Sequence, residues 1–113
     1  MCRAAAAALP ITFRQTNSET QLIEWVHEAI DGASGIIINP AAFSFTSLAL
    51  VDALKMFPGS IIEVHLSNIH RREPLYHRSL VSLAATAVIA GLGADGYPTA
   101  VTAIIKLLAR KAP

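Results

Sequence analysis

Cysteine is almost missing from the sequence: Cys2 stands alone, so no intramolecular disulfide can form. That excludes the disulfide-stapled secreted class and makes a reducing compartment, the cytoplasm, the expected location. Charge is scarce too. Charged residues make up 15% of the 113 residues and the formal net charge is +1, so no strong field gathers nucleic acid or an anionic membrane. With aromatics at only 6%, there is no basic track interleaved with stacking rings for a single strand. The apolar stretch after Met1-Cys2-Arg3 is too short for a signal peptide and is broken by Pro10. Residues 32–51 hold no charged side chain, yet Gly35 and Asn39-Pro40 interrupt them and their periodicity changes midway. They read as a buried strand, a turn and a helix rather than a membrane span. What the chain does have is apolar residues, 53% of it. That composition argues against disorder and for one domain, residues 1–113, with apolar surface to spare for association with further copies.

Local patterns then divide the chain. Residues 4–8 read as the tail of a helix, and Ile11-Thr12-Phe13-Arg14-Gln15 alternates apolar and polar as a strand does. Ser18 with Gln21 makes a capping box, followed by apolar residues at helical spacing, so residues 19–30 are expected to be helical until Asp31-Gly32. Gly35-Ile36-Ile37-Ile38-Asn39 is a continuous β-branched run, the form of a strand covered on both faces in a parallel sheet. A helix over residues 46–57 follows, apolar nearly all round apart from Asp52 and Lys55, which points to a central place or a subunit contact. Residues 60–66 form the next strand, residues 67–78 a polar loop, residues 84–90 a fourth strand or its approach, and residues 99–110 a last helix opened by Pro98. Strands alternating with helices over short connections predict a parallel α/β sheet.

In such sheets ligands bind beyond the carboxyl ends of the strands. The residues there are Asn39, His65 with Glu63, and Gly91. Period two puts Glu63 and His65 on one face, where the carboxylate can orient the imidazole and favour its protonated form, as a general acid requires. On spacing alone, a solvated pair at a strand end explains them more simply. Gly91-Leu92-Gly93-Ala94-Asp95-Gly96 satisfies the dinucleotide-binding glycine pattern. It sits in the last strand-to-helix turn, with no second strand to supply the acidic ribose partner, so a tight turn is the expected reading. His65, His70 and His77 lack the paired short spacings of zinc ligands, and no metal is expected. His70-Arg71-Arg72 with His77-Arg78 makes a small basic loop suited to one small anion. On the first helix, Trp25 is expected to be buried and His27 exposed.

Ile38-Asn39-Pro40, Thr46-Ser47, Asp52-Ala53-Leu54, Glu63-Val64-His65-Leu66-Ser67-Asn68-Ile69-His70 and Gly91-Leu92-Gly93 with Gly96-Tyr97 together resemble type II 3-dehydroquinate dehydratase. So does Arg14-Gln15-Thr16-Asn17-Ser18-Glu19. The resemblance runs over residues 5–105. It implies a flavodoxin-like three-layer α/β domain, assembled as a dodecamer, a tetramer of trimers, that dehydrates 3-dehydroquinate to 3-dehydroshikimate in the shikimate pathway or in quinate breakdown. It implies a small-molecule carboxylate substrate and no metal or organic cofactor, nucleic acid or membrane. In the family a tyrosine made basic by a lid arginine removes a C2 proton, and a histidine paired to glutamate protonates the leaving hydroxyl. His65 and Glu63 match that acid and its partner. Asn39 matches a substrate-binding asparagine, the amides of Leu66 and Ser67 a carboxylate cradle, and Asp52 an acidic residue that reaches a neighbouring subunit's site.

The sequence also departs from the pattern. The family's first strand and its lid loop with arginine and tyrosine would precede Ala4, so the resemblance implies an N-terminally truncated, partly degenerate member. Phe45 stands where the family has a substrate-binding histidine, Ala41 replaces the glycine after Asn-Pro, and Tyr76 falls at a substrate-binding arginine. Of the two tyrosines, Tyr97 is expected to pack at the entry of the last helix, which leaves Tyr76 as the one candidate for a substitute base. Two functions stay open at this point: the family's hydro-lyase, or an impaired homologue that binds a shikimate-like carboxylate or serves as an assembly partner.

Overall fold

Three parallel strands in the order β1-β2-β3 form the centre of a computed structural model that describes residues 10–111. The elements run α1 (Glu19–Gly32), β1 (Gly35–Ile38), α2 (Leu48–Lys55), β2 (Ser60–His65), β3 (Ala87–Ala90) and α3 (Gly96–Lys111), with short 3₁₀ turns in the loops before α2, β3 and α3. Register sets Ile37 beside Ile62 and Glu63 beside Val88, so β2 is laddered on both sides. Each β2 residue is buried, and its alternation feeds two cores. Ile62 and Val64 pack with Ala100 and Ile104 of α3, while Ile61 joins Ile38, Leu54, Val81 and Val26 under α1 and α2. This is the expected α/β sandwich, with helices on both faces of a parallel sheet.

Capping explains where the helices begin. The Ser18 hydroxyl accepts from the Gln21 amide at the start of α1, and the Ser47 hydroxyl accepts from Leu50 N at the start of α2. The helix expected over residues 46–57 is therefore shortened to Leu48–Lys55, because Ser47 caps it. Its apolar residues are also not all inside: Leu50, Val51, Ala53 and Leu54 are buried, whereas Leu48 and Met56 are 65% and 63% exposed. α3 begins at Gly96, earlier than expected, and Pro98 still falls in the first turn, where amides have no intrahelical partner.

Two expectations fail. Residues 11–15 do not form a strand; they are exposed, Phe13 at 72%, and no strand of the described sheet pairs with them. Alternation marks a segment that could be half-buried on a sheet, but without a ladder partner its backbone turns to water. Arg14 is held instead by Glu28 at 3.1 Å and lies 5.3 Å over the Trp25 ring, so Trp25 is half-buried under a cation rather than in the core. Of residues 84–90, Ala87–Ala90 form the strand and residues 84–86 its approach, after a 3₁₀ turn over Leu80–Leu83. The helix read at residues 4–8 lies outside the described residues.

Candidate active site

The carboxyl ends of β1 and β2 open into a cavity of about 360 Å³, into which Asn39, His65, Leu66 and Ser67 project or border. Period two along β2 turns Glu63 and His65 to the face covered by α2 and the 80s turn. There both are buried, at 0% and 4% exposure, so the solvated strand-end pair expected from spacing does not exist. His65 Nε2 bonds Glu63 Oε2, and Ser82 Oγ donates to Glu63 Oε1 at 2.6 Å. Both carboxylate oxygens are thus engaged from opposite sides, and the imidazole keeps Nδ1 for other contacts.

Burial by itself would push the Glu63 carboxyl up; His65 first, then the Ser79 and Ser82 hydroxyls, with the charge on His65 adding the least, outweigh it and hold the group below its ordinary value. The Ser79 hydroxyl is buried near the pair without a hydrogen bond of good geometry, whereas that of Ser82 is in full contact with the carboxylate. Glu63 therefore stays ionised in an apolar setting, and the proton it attracts is the one on His65 Nε2. A buried, anchored carboxylate of this kind fixes the tautomer and the plane of a histidine that works at the cavity side.

Asn39 borders the same cavity but is already engaged at both ends. Its Nδ2 donates to Tyr97 Oη at 2.9 Å and its Oδ1 accepts from Ala41 N at 3.2 Å. Tyr97 lies with the α3 core, as expected for the entry of the last helix. Ala41 takes φ +50°, the left-handed region where a Cβ costs energy and glycine does not. Its strain is local to the loop that starts the cavity wall.

Phe45 and Tyr76 also line the cavity, with Arg72 at its rim. The Arg72 guanidinium lies 3.8 Å from the Tyr76 ring centre, Tyr76 meets Phe45 edge to face at 5.3 Å, and Phe45 is 6.2 Å from the His65 ring. Asp52 is exposed on α2, away from the cavity. Of the basic loop, Arg72 borders the cavity, and Arg71 and Arg78 are exposed to water. His70 and His77 rings lie 6.1 Å apart, and among the described residues no three His, Cys, Asp or Glu side chains converge as metal ligands. Gly91 and Gly93 take φ +92° and +58°, which makes the glycine pattern a tight strand-to-helix turn. Ser82 and Arg72 are the site residues that sequence reasoning missed as such. A serine in a 3₁₀ turn carries no periodic signal, and Arg72 stood in a basic run whose members looked alike.

Known proteins agree with this architecture. Residues 1–105 match the family model described as dehydroquinase class II. The chain is 60% identical over 94 residues to the 3-dehydroquinate dehydratase of Bartonella bacilliformis, covering 83% of this chain and 60% of that protein. It is 50% identical over 111 residues to 3-dehydroquinate dehydratase 2 of Agrobacterium fabrum, covering 96% of this chain and 76% of the relative. The crystal structure of type II dehydroquinase from Propionibacterium acnes superposes with a TM-score of 0.86 at 41% identity, over 91% of this chain and 71% of that one. The chain thus spans three fifths to three quarters of the length of these relatives. With the family model matched over residues 1–105 of this chain and the fold in common, the chain belongs to the class II dehydroquinases.

Proposed function

We propose that the chain acts as a 3-dehydroquinate dehydratase, eliminating water from 3-dehydroquinate to give 3-dehydroshikimate. The observation that carries this reading is the buried Ser82–Glu63–His65 relay opening on a cavity at the strand ends. Dehydration needs two proton movements: C2 loses a proton, and the C1 hydroxyl gains one as its carbon–oxygen bond breaks and water departs. His65 supplies the second, and Glu63 stabilises the imidazolium before transfer and orients the ring throughout. Leu66 and Ser67 hold the substrate carboxylate, Asn39 contacts the ring, and Asp52, pointing outward, serves a neighbouring copy. The first proton goes, by the resemblance, to a tyrosine on a lid that matches no position of the 113 residues, so the residues in hand account for the acid half of the reaction. Relatives named as dehydratases favour the enzyme over a purely binding homologue.

The same reading makes the protein a cytoplasmic homo-oligomer. Among the described residues no helix is long and apolar enough to cross a membrane, and the exposed Leu48 and Met56 at the two ends of α2 offer apolar contact area to a second copy. The activity is tested by following the ultraviolet absorbance of the conjugated enone product on addition of 3-dehydroquinate. Dehydration that falls at least 100-fold in His65→Ala is the expected result, in line with the loss of a general acid. No enone from the parent protein, or undiminished enone from His65→Ala, refutes the reading.

A further inference from the structure

The cavity lining is of two kinds. On the strand-end side stand His65, Ser67 and Asn39, and the Asn39 amide already spends one donor on Tyr97 and one acceptor site on Ala41 N. The rest of the lining includes carbon surfaces, Ala42, Ile69 and the half-buried rings of Phe45 and Tyr76, the last ending in a hydroxyl. The rings form a ladder. Arg72 sits on the face of Tyr76, Tyr76 meets Phe45 at an interplanar angle of 88°, and Phe45 leans over His65 at 34°. The first two steps are attractive geometries, cation on ring face and then ring edge on ring face, so Tyr76 and Phe45 are held in place before any ligand enters.

Such a wall discriminates between rings. A hydroxyl brought against the Phe45 ring gives up its water and finds no partner there, a cost that buried polar groups repay only when hydrogen-bonded. The C–H edge or π-face of a planar ring loses nothing there and adds to the ladder. A carboxylate on the same ligand keeps its match in the Arg72 guanidinium at the rim and in Ser67. We infer that the cavity takes monocyclic aromatic carboxylates, and takes them in preference to a polyhydroxylated ring acid. Phe45 is the specificity-determining residue. This rests on the reading of the cavity as the seat of a ring carboxylate and goes beyond it by naming the kind of ring.

The test uses benzoate and shikimate as probes, with calorimetric titration for affinity and the His65 ring signals in NMR for location. Benzoate is expected to bind at least tenfold more tightly than shikimate and to shift the His65 signals. Phe45→His, which gives hydroxyls a partner, is expected to narrow or invert that ratio, and Phe45→Leu, which keeps the carbon surface without the ring edge, to narrow it only partly. Shikimate binding the parent protein as tightly as benzoate, benzoate binding without touching the His65 signals, or no benzoate binding at all each overturns the inference. The enone assay on the parent protein and His65→Ala decides the dehydratase reading separately, since it does not depend on which acid binds better.

Discussion

Residues 11–15 and β2 (Ser60–His65) both alternate in the manner of strands, yet one lies open to water and the other is the most buried element of the molecule. The difference is not in the residues themselves. β2 has β1 on one side and β3 on the other, so each of its residues pairs with at least one strand, Ile62 and Glu63 with both, and each face finds a core. Residues 11–15 have no strand beside them in the described sheet. Periodicity tells which side chains would share a face; neighbours decide whether that face is covered. The same point holds for the polar members of β2. Because its neighbours dry the strand end, Glu63 and His65 become a buried pair rather than a solvated one, and this burial is what gives the pair chemical use.

The sharpest way to break β2's side of that contrast is to orphan the buried carboxylate. In His65→Ala, Glu63 keeps its charge but loses the partner of Oε2, and a buried ion stripped of its partner costs about 3–5 kcal/mol. Chemical denaturation should show a loss of that order, together with the loss of dehydration. An exposed histidine would cost almost nothing, so a drop below about 1 kcal/mol contradicts the buried relay.

Ser82→Ala is gentler, since only Oε1 is deserted and His65 stays in place; about 1–3 kcal/mol is expected. It also carries a pH signature. The folded Glu63 carboxyl sits below its ordinary value of 4.5. Its contribution to stability is therefore fully present above about pH 4.5 and is lost as pH falls through the lower folded value. Ser82→Ala removes part of that depression, so the difference in stability between parent and variant should shrink as the pH is lowered below 4.5. A difference that stays constant down to acid unfolding means that Ser82 does not act through the Glu63 charge.

How much of this was legible beforehand follows from the same contrast. Gly35 to Ile38, Ser60 to His65 and the Ser18 cap were readable because local pattern and final neighbours agree. The motif containing Glu63 and His65 was readable from family resemblance, but its burial was not, since drying depends on Ser82 and the 80s turn, nineteen positions along the chain. The aromatic ladder was half visible: Phe45 and Tyr76 stood out as departures, while nothing in the sequence says that Arg72 would stack on one and that the two rings would meet. Such contacts join two loops whose course no period dictates.

Ala41 provides a smaller test, of strain in the loop between β1 and α2. At φ +50° its Cβ costs about 1–2 kcal/mol in the folded state, while glycine there would cost about 0.4–1 kcal/mol through the freer unfolded chain. The folded-state term is the larger, so Ala41→Gly should stabilise by about 0.5–1 kcal/mol and raise the denaturation midpoint. Destabilisation by Ala41→Gly means that the loop does not hold the left-handed conformation.

The smallest effect is expected where the comparison began. Phe13 is 72% exposed, so Phe13→Ser removes little apolar area that folding buries, and surface changes of this kind stay within about 0.5 kcal/mol. The same replacement at Ile62, fully buried between β2 and α3, would open a cavity and strand a hydroxyl, at a cost of several kcal/mol. Measuring Phe13→Ser in the isolated chain at low concentration, and again at a concentration where copies associate, separates two sources of stability. An unchanged denaturation midpoint in both shows that residues 11–15 take no part in the core or in a contact between copies. A midpoint that falls only in the concentrated sample shows that a second copy supplies the neighbour that the strand pattern of residues 11–15 lacks within its own sheet.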